Sequence, residues 1–237
     1  MTERIYATDA YARSVPARVL ETDGTDRRIL LDRTVFYPGG GGQEPDRGQL
    51  RIGDDSLNVV RVTQDSAGVW HWVDGTVPSR GTELVAEIDW DHRYRLMQTH
   101  TAMHGMCGVV WRKFHSAVTG GDMRAGEGRL DFEILDWDPE QRQPIEDELN
   151  QELASPRLVE VSFLARAEAD LDPSLIRTKV SLLPAELTEV RVIDIVGLDR
   201  QADGGTHVRS TAEVGRIKIT KVESKGKGFR RIRFVLD

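Results

Sequence analysis

Hydrophobic periodicity changes once along this chain, at Asp91, and that change limits the folds open to it. Before it, short alternating or β-branched runs occupy 17–21, 28–31, 34–37, 56–62, 69–73 and 82–90, with turn formers such as Asp23-Gly24, Gly53-Asp54-Asp55 and Ser66-Ala67-Gly68 between them. Short strands with turn signals at this spacing predict a small barrel or sandwich. After it, 92–115 contains no proline. Leu96, Met97, Met103, Met106, Val109, Val110 and Phe114 recur there at helical intervals, which predicts one long helix with Asp89 or Asp91 as its cap. A second helix is predicted over 139–154, with Asp138 as cap and Ile145, Leu149 and Leu153 on one stripe. Strands are expected at 129–135, 158–165, 190–195, 216–222 and 229–236. The 237 residues thus divide into a β unit at 1–90 and an α+β unit at 91–237.

Charge and cysteine content exclude some classes of function. The net charge of −7 rules out a globally basic nucleic-acid binder, but the charge is sorted along the chain. Residues 211–237 hold eight basic and three acidic side chains, so one end can meet a polyanion while the whole remains acidic. No apolar run is long enough to span a bilayer. The N-terminus Met1-Thr2-Glu3-Arg4 lacks the apolar segment of a secretory leader. A single cysteine, Cys107, cannot form an internal disulfide; with the absent leader it predicts a cytoplasmic protein. Cys107 itself reads as a small core residue beside Met106 and Val109.

The chemistry concentrates in two short motifs. His100-Thr101-Ala102-Met103-His104 puts two imidazoles at i and i+4 of the long helix, on one face and close enough to share an ion. Asp203-Gly204-Gly205-Thr206-His207 offers a carboxylate and an imidazole four residues apart, with two glycines that permit a tight turn through positive φ. Either motif alone is weak. Together they make a set of three nitrogens and one oxygen acceptable to zinc or another divalent ion.

The two histidine motifs, with Phe36-Tyr37-Pro38-Gly39-Gly40-Gly41-Gly42-Gln43 upstream, resemble the editing domain of alanyl- and threonyl-tRNA synthetases. The closest likeness is to the medium-length free-standing alanyl-tRNA editing proteins, AlaX. The resemblance runs from about Tyr6 to Phe234. It implies an N-terminal β-barrel with a glycine-rich motif, then a two-layer α+β editing domain built on a long metal-binding helix. It also implies an aminoacyl-tRNA deacylase that hydrolyses the ester on mischarged tRNA(Ala), chiefly Ser-tRNA(Ala) and also Gly-tRNA(Ala). A synthetic pocket rejects an added hydroxyl by only about 100-fold, so a second, hydrolytic sieve is needed. His100, His104, Asp203 and His207 are the implied metal ligands, zinc the implied ion, and Gly40, Gly41, Gly42, Gln43 and Thr206 the implied substrate contacts. Lys218, Lys221, Lys225, Lys227, Arg230, Arg231 and Arg233 make the expected tRNA-backbone patch. DNA, a membrane and an obligate protein partner are not expected.

One departure stands out. The family's third ligand is usually cysteine, and here it is Asp203, a harder donor of the same charge. Whether an ion held this way activates water or anchors the substrate stays open at this level. Two other readings also stay open: a metal-dependent esterase or amidase for small molecules, and a tRNA-binding module with decayed catalysis.

Overall fold

Short runs of β-branched and aromatic residues recur through the first ninety positions, and their alternation leads to a closed antiparallel barrel. The computed structural model describes residues 2–176 and 188–237. Two units are distinguished within it, Met1–Arg95 and Leu96–Asp237. In the first, β1 (Glu3–Arg4), the short helix α1 (Ile5–Thr8), β2 (Ser14–Asp23), β3 (Arg28–Leu31) and β4 (Arg33–Thr34) precede a loop. β5 (Gly48–Ile52), β6 (Asp55–Gln64), β7 (Val69–Val73) and β8 (Glu83–Ile88) follow it. The barrel order is β2-β3-β7-β6-β5-β8, closed by β8 pairing with β2, so the six strands leave no open sheet edge. Val19, Ile29, Leu31, Leu50, Val62, Val69 and Ala86 fill its interior.

The strand expected at 34–37 is not one. Val35, Phe36 and Tyr37 are buried, but only Arg33–Thr34 pairs as a strand, in parallel with β1. The reason lies in where the backbone donors go. Phe36 N–H donates to Thr34 Oγ1 (3.0 Å) and Tyr37 N–H to Asp46 Oδ2 (2.5 Å), so side chains replace the ladder. Arg93, wholly buried, anchors this segment. Its Nε donates to Asp46 Oδ1 (2.8 Å), a second nitrogen reaches Asp46 Oδ2, and the same fork donates to Val35 O (2.6 Å) and Ala10 O (3.0 Å).

α2 (Trp90–Phe114) begins in the first unit and continues into the second. Of the two candidate caps the chain uses Asp89, whose Oδ1 accepts from His92 N–H (3.2 Å). There follow β9 (Val118–Arg124), β10 (Glu127–Glu133), α3 (Arg142–Ala154), β11 (Val159–Ala165), α4 (Arg166–Ala169), β12 (Glu189–Ile195), β13 (Asp199–Ala202), β14 (Ile217–Ser224) and β15 (Phe229–Leu236). Asp138 caps a single 3-10 turn at Pro139–Gln141 that leads into α3, rather than α3 itself.

The strands form two antiparallel sheets, β14-β15-β10-β9 and β11-β12-β13. The exposed edge of β14 is closed by α3. Asn150 exchanges two hydrogen bonds with the Ile217 backbone (2.9 and 3.0 Å), Glu146 accepts from Ile219 N–H (2.7 Å), and Arg142 donates to Ile219 O. Gly105 and Gly108 cost α2 about 1 kcal/mol each in helix propensity. They admit close neighbours in return: a Cβ at 105 would lie 3.0 Å from Leu149 of α3, and one at 108 only 2.6 Å from Leu198 O. Among the described residues no helix is long and apolar enough to cross a membrane.

Candidate metal centre

The i, i+4 spacing on α2 brings His100 and His104 onto one face, with ring centroids 5.2 Å apart. The loop after β13 supplies the other pair. Asp203 N–H donates to Arg191 O (3.1 Å), and Arg191 Nη1 donates to Asp203 O (2.9 Å) and Gly205 O (2.8 Å). Gly205 N–H donates to Asp203 Oδ2 (2.6 Å) and closes a small turn. That corrects the expectation of a path through positive φ: neither Gly204 nor Gly205 adopts it. The turn is shaped by the Asp203 carboxylate and the Arg191 guanidinium instead.

One ligand atom from each of His100, His104, Asp203 and His207 lies within 4.8 Å of all the others, so the four could hold a metal ion. His100 Nε2 is 3.6 Å from Asp203 Oδ1, and His207 Nε2 is 3.2 Å from Asp203 Oδ2. Tetrahedral bonds of about 2.0–2.1 Å require donor-to-donor edges of roughly 3.3 Å. The two contacts, each to a different oxygen of Asp203, fall near that value while the full set spans up to 4.8 Å, and three nitrogens with one oxygen form an accepted zinc donor set.

Hydrogen bonds behind the ligands strengthen the fit. Thr101 Oγ1 donates to Met97 O (2.9 Å), so at 3.3 Å from His207 Nδ1 it accepts. With its proton on Nδ1, His207 would have Nε2 available to an ion, 3.2 Å from Asp203 Oδ2. His104 Nδ1 is 3.0 Å from Asp199 Oδ2, and Asp199 is buried.

Burial governs the proton affinities. It pushes His100 down to about 4 and His207 well below the ordinary imidazole value, so both are neutral ligands at physiological pH. Burial acts the same way on His104, but the Asp199 hydrogen bond and charge outweigh it and raise that residue. Burial alone would raise Asp203. The surrounding imidazoles, His100 foremost, reverse this and hold it well below the usual carboxylate range. Asp203 is also the most accessible ligand, 11% exposed against 3% for His100, so the centre opens on the carboxylate side.

The other predicted residues are placed as follows. Gly39, Gly40, Gly41 and Gly42 all have positive φ, and Gly40 and Gln43 exchange backbone hydrogen bonds (3.0 and 2.9 Å) around a two-residue tip. That conformation accounts for four glycines where a plain hairpin needs one or two. Gly40 and Gly41 are exposed, whereas Gln43 is buried. Thr206 is wholly buried, and Cys107 is buried as expected, outside the ligand set.

The basic tail is less uniform than its sequence. Arg231 forms a two-pronged pair with Asp131 (2.7 and 2.6 Å), and Arg233 and Lys221 both pair with Glu223 (2.7 and 2.9 Å). Arg129 lies 3.7 Å from Asp131, so the dominant partner of that carboxylate is Arg231. Arg230 turns onto Phe229 O (2.9 Å) and Ser224. Lys218, Lys225 and Lys227 remain exposed, the last two at the β14–β15 hairpin tip.

Asp199, Gln201, Thr101 and Arg191 were not singled out from sequence. A signal existed: Asp199, Gln201 and Asp203 alternate at i, i+2 and i+4, the spacing of one strand face leading into the ligand loop.

Comparison with known proteins shows which families these segments match. The family described as the threonyl and alanyl tRNA synthetase second additional domain matches residues 190–233, which contain the Asp203–His207 loop. The family described as tRNA synthetases class II (A) matches residues 11–92, the barrel region. The chain is 34% identical to the alanyl-tRNA editing protein AlaX-M of Saccharolobus solfataricus over 239 residues, covering 100% of this chain and 99% of that protein. To the AlaX-M protein of Methanosarcina barkeri it is 35% identical over 242 residues, with 100% and 99% covered. It is also 36% identical over 242 residues to the alanine–tRNA ligase of Pyrobaculum neutrophilum, of which it covers 26%.

Proposed function

The chain belongs to the AlaX-M family of alanyl-tRNA editing proteins, and on that footing we propose that it is a trans-editing hydrolase of mischarged tRNA(Ala). Its substrates are Ser-tRNA(Ala) and, by the same chemistry, Gly-tRNA(Ala). The observation that carries this reading is the convergence of His100, His104, Asp203 and His207 on one point. The intact ligand set argues against a decayed binding module, and full-length kinship with editing proteins argues against a general esterase.

The reaction adds water across the ester that joins the amino acid to the terminal ribose. The acyl C–O bond breaks, the amino acid leaves as its carboxylate, and of the two protons of water one goes to the ribose oxygen and the other to solvent. His100, His104, Asp203 and His207 would hold zinc, which when bound supplies a Lewis acid for polarising the ester carbonyl or anchoring the amino acid's polar groups. The chain's own residues prepare that site. Burial keeps His100 and His207 unprotonated, and Thr101 places a hydroxyl oxygen 3.3 Å from His207 Nδ1. The Gly205 N–H holds the Asp203 carboxylate, and Arg191 holds the loop backbone through Asp203 O and Gly205 O. Gly40, Gly41, Gly42 and Gln43 are the proposed contacts to the aminoacylated end from the first unit, Gly40 and Gly41 through exposed backbone, and Thr206 is the proposed contact from the second. Lys218, Lys225 and Lys227 supply the contacts to tRNA phosphates, which set affinity rather than sequence preference.

The test is deacylation by the purified, zinc-loaded chain. Serine is released from Ser-tRNA(Ala), Ala-tRNA(Ala) stays largely intact, and His100→Ala abolishes the release. Intact Ser-tRNA(Ala) under full metal loading refutes the assignment.

A further inference from the structure

Asp199 has no assigned role, yet its side chain is fully buried, where a carboxylate is costly to keep. It occupies the first position of β13. Gln201, two residues on, faces the same way and donates Nε2–H to Asp199 Oδ2 (2.6 Å). That oxygen is also 3.0 Å from His104 Nδ1. The absent side chain at Gly108 lets Leu198, the residue before Asp199, come up against α2. The carboxylate thus meets Nδ1 of His104, which leaves Nε2 as the nitrogen available to the ligand cluster.

We propose that Asp199 is a positioning residue of the metal centre: it accepts the Nδ1 proton of His104, fixes the tautomer that leaves Nε2 to coordinate, and adds a second negative charge beside the ion. The proposal rests on the reading that the four ligands hold an ion. The corresponding nitrogen of His207 meets only the neutral hydroxyl of Thr101, at 3.3 Å, so the two imidazoles face partners of different strength. Only Asp199 adds charge to the orientation, which makes the ligand more basic and offsets the charge of a divalent ion. Gln201 holds that carboxylate in register.

The rival account makes Asp199 a strut that fastens β13 to α2 through a buried hydrogen bond. The two accounts differ in what they change. A strut lowers the melting temperature of the metal-free chain and leaves zinc affinity alone, whereas a positioning charge alters affinity directly.

The experiment measures zinc affinity of the full chain by competition with a chromophoric chelator, alongside thermal melts of the metal-free and zinc-loaded forms. Asp199→Asn keeps the size of the side chain and removes its charge. It is expected to weaken zinc about 10–100-fold and to shrink the zinc-induced rise in melting temperature. Gln201→Leu leaves the carboxylate but frees it, and is expected to weaken zinc by about threefold to tenfold; it carries the test should Asp199→Asn fail to fold. Affinity within about twofold of wild type in the folded variants, with a lower metal-free melting temperature, overturns the proposal in favour of the strut. A wild-type chain that takes up no zinc overturns the metal centre itself and the proposal with it. Wild-type binding that survives Asp199→Asn unchanged overturns the proposal alone.

Discussion

Replacing Arg93 by Met leaves the length of the side chain nearly unchanged and removes every donor. The guanidinium is wholly buried and serves both oxygens of Asp46 and the carbonyls of Val35 and Ala10. Without it Asp46 stays buried, with the Tyr37 N–H still donating to Oδ2. Removing one partner of a buried pair costs about 3–5 kcal/mol, and each stranded carbonyl about 1 kcal/mol more. The expected loss is therefore about 5–7 kcal/mol. For a unit of 95 residues, that is a fall in melting temperature of at least about 20 °C. Urea denaturation followed by tryptophan fluorescence measures it as a shift in midpoint at constant slope. The double variant Arg93→Met/Asp46→Leu removes the stranded carboxylate as well and should recover at least half of the loss. A single variant within about 1 kcal/mol of wild type, or a double variant no better than the single, refutes the view that this pair holds the segment beneath the glycine loop.

Three further outcomes are expected. Burial pushes His71 of β7 down to about 4 from an ordinary 6.5, so stability present above pH 6.5 falls as pH drops towards 4, by about 3 kcal/mol. His71→Gln should remove that component from a series of urea melts, and an unchanged pH slope refutes it. Lys225→Ala with Lys227→Ala should weaken tRNA binding and reduce the slope of log affinity against log salt by about 1–2, whereas Arg231→Ala, whose charge is spent on Asp131, should change stability more than the slope. Gly108→Ala sets a Cβ 2.6 Å from Leu198 O and should cost about 1–3 kcal/mol, with weaker zinc binding because Asp199 follows Leu198. Wild-type melting and affinity refute that last expectation.

The parts of the fold that were legible in sequence have a strong local period. The long helix carries seven apolar positions at helical spacing, and β3, β7 and β15 are runs bounded by turn formers. What escaped had no period to read. β9 contains Gly120-Gly121, which looks like a turn; a Cβ at 121 would lie 3.3 Å from Met103, so close packing accounts for that residue. β5 buries only Leu50 fully, and β13 is four residues long. The strand expected at 34–37 had the right composition, but its backbone donors go to Thr34 and Asp46, and sequence does not declare such partners.

The four side chains that cluster were legible because chemistry restricts which residues could bind an ion. Their supports were not, because a buried Asp or Thr gains its meaning only from what it touches. The basic tail shows the converse error: seven cations look equivalent in sequence, yet Asp131 and Glu223 engage Arg231, Arg233 and Lys221.

The account depends most on a single cation shared by α2 and the loop after β13. Diffraction from zinc-loaded crystals, recorded on both sides of the zinc absorption edge, tests it most directly. The expected result is one anomalous peak about 2.0–2.2 Å from ligand atoms of His100, His104, Asp203 and His207. An empty position there in fully loaded protein, or a peak bound by other residues, contradicts it.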